Sequence, residues 1–167
     1  MDVVHVFGGQ AVYIELDFIF GNEGSCKSFD YDFALEDELI VSPVHVAGSV
    51  VNQTGIVRLT AEAVYTLSTV CARCNAPIRR EMHVEIDHAL IARSENEETD
   101  DYITVENMRL DLDALASEDI YLAMPYRFLC RDNCKGLCAV CGADLNAGDC
   151  GCKKPTDPRW DALKNLV

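Results

Sequence analysis

From position 11 onward, apolar and polar residues alternate. In AVYIELDFIF, Val12, Ile14, Leu16, Phe18 and Phe20 share one face, and Tyr13, Glu15 and Asp17 share the other. A period of two belongs to an extended strand with one buried face. PVHVAGSVV at 43–51 is a second strand candidate, and NQTG at 52–55 carries the residues of a tight turn. The longest run starts at 56. Val57, Leu59, Ala61, Ala63, Tyr65 and Leu67 point one way, while Arg58, Thr60, Glu62, Thr66 and Ser68 point the other. From 76 a further strand places Ile78, Met82, Val84, Ile86 and Leu90 on its apolar face. Short turns between such strands predict an antiparallel meander with one wet face.

The period then changes. SENEETDD at 94–101 reads as a solvated acidic loop, and a short strand is expected near 102–105. In LDLDALASEDIYLAMP the apolar residues fall at helical spacing, with Leu112, Leu115, Ala116, Ile120 and Ala123 on one stripe. Asp111 or Asp113 can cap this helix, and Pro125 stops it. The stripe is of the kind that packs on a core. DPRWDALKNLV predicts a second short helix, with Asp157 as N-cap, Pro158 at the first helical position, and Trp160, Leu163 and Leu166 along one side. The expected fold is therefore α+β. Residues 1–126 would form an acidic antiparallel β-sheet domain with one helix, and residues 127–167 a cysteine-rich zinc-binding tail with the terminal helix.

The 167 residues suffice for one domain with a small appendage, and 49% hydrophobic residues can build a core. No apolar run approaches the roughly 20 residues of a bilayer helix. The start, MDVVHVFGGQ, has an acid at position 2 and no basic segment, so it is not read as a secretory signal. A cytoplasmic protein is expected, and in that compartment thiols stay reduced.

That bears on the nine cysteines, six of which crowd into LCRDNCKGLCAVCGADLNAGDCGC at 129–152. Eight fall into close pairs: Cys71 with Cys74, Cys130 with Cys134, Cys138 with Cys141, and Cys150 with Cys152. Four pairs make two tetrahedral sites of four thiolates each, the ligand set of structural zinc. Iron–sulfur clusters take four cysteines as well. CARCNAP, between two strands, has the form of a zinc knuckle; a thioredoxin-type redox pair would instead sit where a strand enters a helix. Loop-closure entropy favours a local site from Cys138, Cys141, Cys150 and Cys152, which leaves Cys71 and Cys74 to join Cys130 and Cys134. The alternative is a ribbon that joins 71/74 with 138/141. Cys26 is read as a free loop thiol.

Four thiolates leave no open coordination position, so neither site is read as catalytic. His83 and His88 have opposite parity along one strand, and His5 and His45 lie in apolar-rich segments as structural residues. No nucleophile elbow, phosphate loop or dinucleotide fingerprint occurs. The chain is not expected to be an enzyme or to have a small-molecule substrate.

Net charge is −14. Residues 127–167 carry seven basic and five acidic side chains, net +2, against seven and twenty-three before them, net −16. Arg131, Lys135, Lys153 and Lys154 surround thiolate sites that are themselves negative, so the tail is no free basic patch. The acidic body repels phosphate and could attract a basic protein.

CARCNAP after a long strand, LAMP ahead of a cysteine, and LCRDNCKGLCAVCGADLN…CGC…DPRWDALKNL together resemble the YceD family of large ribosomal RNA subunit accumulation proteins. The resemblance implies a non-enzymatic bacterial or plastid factor needed for normal levels of large-subunit (23S) ribosomal RNA. The matching positions are Cys71, Cys74, Cys130, Cys134, Cys138 and Cys141, with Asp157, Pro158 and Arg159. Joined to the charge, it points to a basic ribosomal or ribosome-assembly protein as partner. Glu95, Glu97, Glu98, Asp100 and Asp101 would supply charge, and Trp160, beside Arg159, an apolar anchor. The alternatives are direct contact of ribosomal RNA by Lys153, Lys154 and Arg159, and a processing nuclease, against which the closed metal sites argue.

Overall fold

A computed structural model describes residues 11–92 and 102–152. The chain divides into two compact units. One comprises residues 1–69 and 79–126, and the other residues 70–78 together with 127–167.

The first unit is built on a five-stranded sheet of order β2-β3-β4-β5-β6: β2 Cys26–Phe33, β3 Ile40–Gln53, β4 Ile56–Val70, β5 Pro77–Ala92 and β6 Ile103–Val105. The expected meander is present in β3, β4 and β5. The turn after Gln53 is as tight as NQTG implied. Gln53 pairs with Ile56, and Thr54 and Gly55 between them take the left-handed backbone that a two-residue hairpin turn needs. Val57, Leu59, Ala63, Tyr65 and Leu67 of β4 are buried, as are Val84, Ile86 and Leu90 of β5. β3 runs longer than 43–51, and its pairing with β4 shifts between Val41 and His45, around Pro43, which has no N–H to give a ladder.

Three features differ from the sequence pattern. CKSFDYDF forms β2, with Phe29, Tyr31 and Phe33 inward, so Cys26 begins a strand and does not lie in a loop. β6 runs parallel to β5, which makes the sheet mixed. The strand expected through AVYIELDFIF stops after β1, Tyr13–Glu15, and becomes the short helix α1, Asp17–Gly21. Leu16 and Ile19, three apart, are both buried, whereas Phe18 is exposed. Helical spacing thus buries the apolar pair that matters. Asn52 holds α1 in place: its side-chain amide donates to the Ile19 carbonyl at 2.7 Å.

β1 pairs antiparallel with β7, Arg109–Asp111, in a separate two-stranded sheet. A single turn of 3-10 helix, Glu106–Met108, leads into β7. The helix α2, Leu112–Ala123, follows it directly. Asp111 caps α2 by accepting from the Ala114 N–H at 3.0 Å, and the helix ends at Met124 before Pro125. Leu112, Leu115, Ala116 and Ile120 are buried; Ala123, expected on the same stripe, is exposed at the last turn. Asp113 serves elsewhere, accepting from the Val12 N–H at 3.2 Å.

The wet face of the sheet carries charged pairs: Arg58 with Asp87, His83 with Glu62 and Glu81, and His45 with Asp32. His45 is therefore exposed, not enclosed by its apolar neighbours. His88, of opposite parity to His83, faces α2 and meets Asp119 at 2.7 Å. Among the described residues no helix is long and apolar enough to cross a membrane. His5 and the terminal helix expected at 157–167 lie outside the described residues.

Candidate metal centres

Eight thiols gather into two groups. Cys71, Cys74, Cys130 and Cys134 form one, and Cys138, Cys141, Cys150 and Cys152 the other; within each, all four sulfurs lie within 4.8 Å of one another. This is the local pairing, not the ribbon. All eight cysteines belong to the second unit, because the hairpin tip at 70–78 groups with residues 127 onward.

The hairpin tip folds as a closed loop. The Cys71 N–H donates to the Ala76 carbonyl at 2.8 Å, and the Asn75 N–H returns to the Cys71 carbonyl at 2.9 Å. Asn75 has φ of 59°, a left-handed conformation that asparagine tolerates well. The same loop recurs at 138–143. The Cys138 N–H donates to Ala143 at 2.8 Å, the Gly142 N–H to Cys138 at 2.9 Å, and Gly142 takes a φ of 73°. CARCNA and CAVCGA are thus one structural motif used twice. In each, the first cysteine has its sulfur ringed by backbone N–H groups, which stabilise a thiolate. The Cys130 N–H, with those of Arg73 and Cys74, holds Cys71 down to about 6. The N–H groups of Cys141 and Val140 do the same for Cys138.

The two tetrads differ in their surroundings. Cys71 and Cys134 are buried and pack with Ile78, Phe128 and Leu129 in a small apolar cluster. Arg73 ties the cluster together from both ends. Its guanidinium donates to the Cys134 carbonyl at 2.8 Å, and its own carbonyl accepts from the Leu137 N–H at 3.1 Å. Gly136 has φ of 76° and approaches so closely that a Cβ there would lie 2.9 Å from the Arg73 carbonyl oxygen. In the second tetrad Cys138 and Cys150 are half-buried and Cys141 and Cys152 exposed.

The donor sets fit a metal ion. Cys71 Sγ and Cys134 Sγ are 3.8 Å apart, and Cys74 Sγ and Cys130 Sγ 3.7 Å. Four sulfurs bound at about 2.3 Å to one tetrahedral ion would sit about 3.8 Å apart. A disulfide would bring a pair to about 2 Å, and all nine cysteines are free thiols.

These observations accompany a match to a known family. The model of the large ribosomal RNA subunit accumulation protein YceD matches residues 58–167. The chain belongs to the YceD family. Both tetrads fall inside the matched span, as do β5 and α2; β1, α1, β2 and β3 precede it. Uncharacterised proteins of Mycobacterium bovis and Mycobacterium tuberculosis are each 30% identical over 101 residues, covering 58% of this chain and 49% of theirs. The chain spans about half the length of these curated relatives. No solved structure matches it.

The residues assigned to a partner surface, Glu95, Glu97, Glu98, Asp100, Asp101, Arg159 and Trp160, lie outside the described residues, as do Lys153 and Lys154. The sequence leaves Asn146 unmarked. Its amide lies 3.5 Å from Cys134 Sγ, although it sits between the two pairs of the other tetrad. A short D-x-N step inside a cysteine-rich loop is the available signal. Phe128 and Leu129, which pack against the first tetrad, carry no signal of their own, because no periodic element contains them.

Proposed function

We propose that this YceD-family chain is a non-enzymatic accessory factor for the accumulation of large-subunit (23S) ribosomal RNA, with two structural zinc ions. It would act by holding a basic ribosomal or ribosome-assembly protein in the cytoplasm of a bacterium. The observation that carries the reading is the ligand set: four thiols converge on each point, and a tetrahedral ion they hold has no position left for water or substrate. Sulfurs spaced for a single ion favour zinc over a four-iron cluster, which would spread its four cysteines wider. Zinc there would fix the loops and would not activate water.

The choice of partner rests on charge. A chain of net −14 gains nothing from phosphate and attracts cations. Ribosomal proteins are generally basic, and RNA whose assembly stalls is exposed to degradation, which links such a partner to RNA level. The test is capture of a basic large-subunit protein from lysate by the full chain. Binding lost when Glu95, Glu97, Glu98, Asp100 and Asp101 are made neutral supports the proposal. Binding of naked ribosomal RNA at physiological salt instead, weakened by neutralising Lys153, Lys154 and Arg159 and indifferent to the acidic loop, would overturn it. Chelator-sensitive cleavage of precursor RNA at defined positions would overturn the non-enzymatic part.

A further inference from the structure

From Leu137 to Cys152 no residue is buried. The eight residues between Cys141 and Cys150 therefore have no core to order them, and their ends are ligands of the second tetrad. Yet this loop makes specific contacts with the segment that follows Cys134, and one with the Cys134 sulfur itself. The Leu145 N–H donates to the Gly136 carbonyl at 2.9 Å, and Leu137 bridges to Asp144. Asn146 reaches furthest. Its amide nitrogen donates to Cys134 Sγ at 3.5 Å and to Asp144 Oδ1 at 2.7 Å, while its Oδ1 accepts from the Lys135 N–H at 2.8 Å. Asp144 Oδ1 also accepts from the Asn146 N–H at 2.9 Å, which fixes the rotamer.

We propose that Asn146 is a positioning residue that couples the two tetrads, so that an ion held by Cys138, Cys141, Cys150 and Cys152 tightens the grip of Cys71, Cys74, Cys130 and Cys134 on theirs. The inference rests on the reading that both tetrads bind metal. An N–H donated to a ligating sulfur orients it and stabilises its negative charge, and loss of such outer contacts typically weakens metal affinity about 10- to 100-fold. Here the donor is held in place only as long as its loop is. A second ion closes that loop at Cys141 and Cys150, and without it the loop has the features of a segment that opens locally. Coupling of this kind is reciprocal, so the first ion must favour the second by the same factor.

The experiment uses the full-length reduced apo chain and two probes, cobalt(II) for spectra and zinc with a chromogenic chelator for affinity. Unmodified protein should bind two ions per chain. Disabling the second tetrad with Cys150→Ser and Cys152→Ser should weaken the first about 10-fold, and Asn146→Ala should do the same with the second tetrad intact. Combining the changes should weaken it no further, since both remove one contact. Asn146→Asp keeps the acceptor for Lys135 but has no donor for sulfur and sets a second carboxylate against Asp144; it should weaken the first tetrad at least as much as Asn146→Ala. In both Asn146 variants the sulfur-to-cobalt charge-transfer band of the first tetrad should move to lower energy, because an undonated sulfur is easier to oxidise; a purely structural role would not shift it. Affinity of the first tetrad unchanged within about twofold in these variants, or losses that multiply when combined, would overturn the coupling while leaving two metal sites. Fewer than two ions bound by the unmodified chain would overturn the metal reading, and the coupling with it.

Discussion

Cys71 and Cys134 are 63 positions apart in the chain, and their sulfurs lie 3.8 Å from one another. Both are buried, at 0% and 2% exposure, in contact with Ile78 and with Phe128 and Leu129. The first tetrad is thus also the core of its unit. A metal held there would replace the apolar mass that so small a unit lacks, and its binding energy would become folding energy.

The two tetrads should therefore respond differently to loss of one ligand. Cys71→Ser leaves a hydroxyl in the apolar cluster and three thiols around a charge, and should destabilise the second unit by about 3 kcal/mol or more. Cys141→Ser, at an exposed ligand, should cost one ion while the apolar cluster persists. Limited proteolysis with metal analysis separates the two: rapid cleavage throughout 127–152 in the first variant, and cleavage confined to residues after Leu137 in the second.

Asn52 is the one buried polar side chain among the described residues apart from those of tyrosine and cysteine. It donates to the Ile19 carbonyl at 2.7 Å and accepts from the Gly55 N–H at 3.1 Å. Asn52→Ala leaves both groups without their partner and should lower stability by about 2 kcal/mol, read from the urea midpoint at unchanged m-value.

Gly48 pairs with Ala61, and a Cβ at 48 would lie 2.4 Å from the Ala61 Cβ and from the Thr60 carbonyl oxygen. Those neighbours are backbone or the stub of a side chain, so neither can swing away. Gly48→Ala should cost about 1–3 kcal/mol by overpacking and lower the melting temperature.

Burial pushes the Asp113 carboxyl above its ordinary 3.8, against the Val12 N–H that favours its charge. A carboxyl raised on folding binds its proton more tightly in the folded state. Its stabilising contribution is complete below 3.8 and is lost as pH rises through the folded value. Asp113→Asn keeps an acceptor for the Val12 N–H and sheds the charge that burial disfavours. The variant should gain stability over the natural chain at about pH 7 and lose that gain by about pH 3. Denaturant midpoints at the two values check the sign.

Legibility in the sequence follows the length of each pattern. β4 is legible because its alternation runs over many residues and leads out of a turn with only one good solution. The cap at Asp111 and the stop at Pro125 are local chemistry, which sequence records directly. AVYIELDFIF is ambiguous because Leu16 and Ile19 suit a helix while Val12, Ile14 and Leu16 suit a strand, and pairing with β7 decides where one gives way to the other. CKSFDYDF alternates as cleanly as β4, but Gly24 and Cys26 at its start suggest a loop. β6, three residues long and parallel, has no pattern to read. The cysteine spacings announce metal ligands but allow two pairings. The convergence of the Cys71, Cys74, Cys130 and Cys134 sulfurs to within 4.8 Å of one another separates them.

On the proposed reading, metal at both tetrads would order the second unit. Native mass spectrometry of the full chain, purified reduced and without added metal, counts the ions directly. Two zinc ions per chain are expected, with eight cysteines protected from alkylation until a chelator is added and Cys26 labelled throughout. A metal-free, fully alkylated but folded chain, or iron with inorganic sulfide, would contradict it.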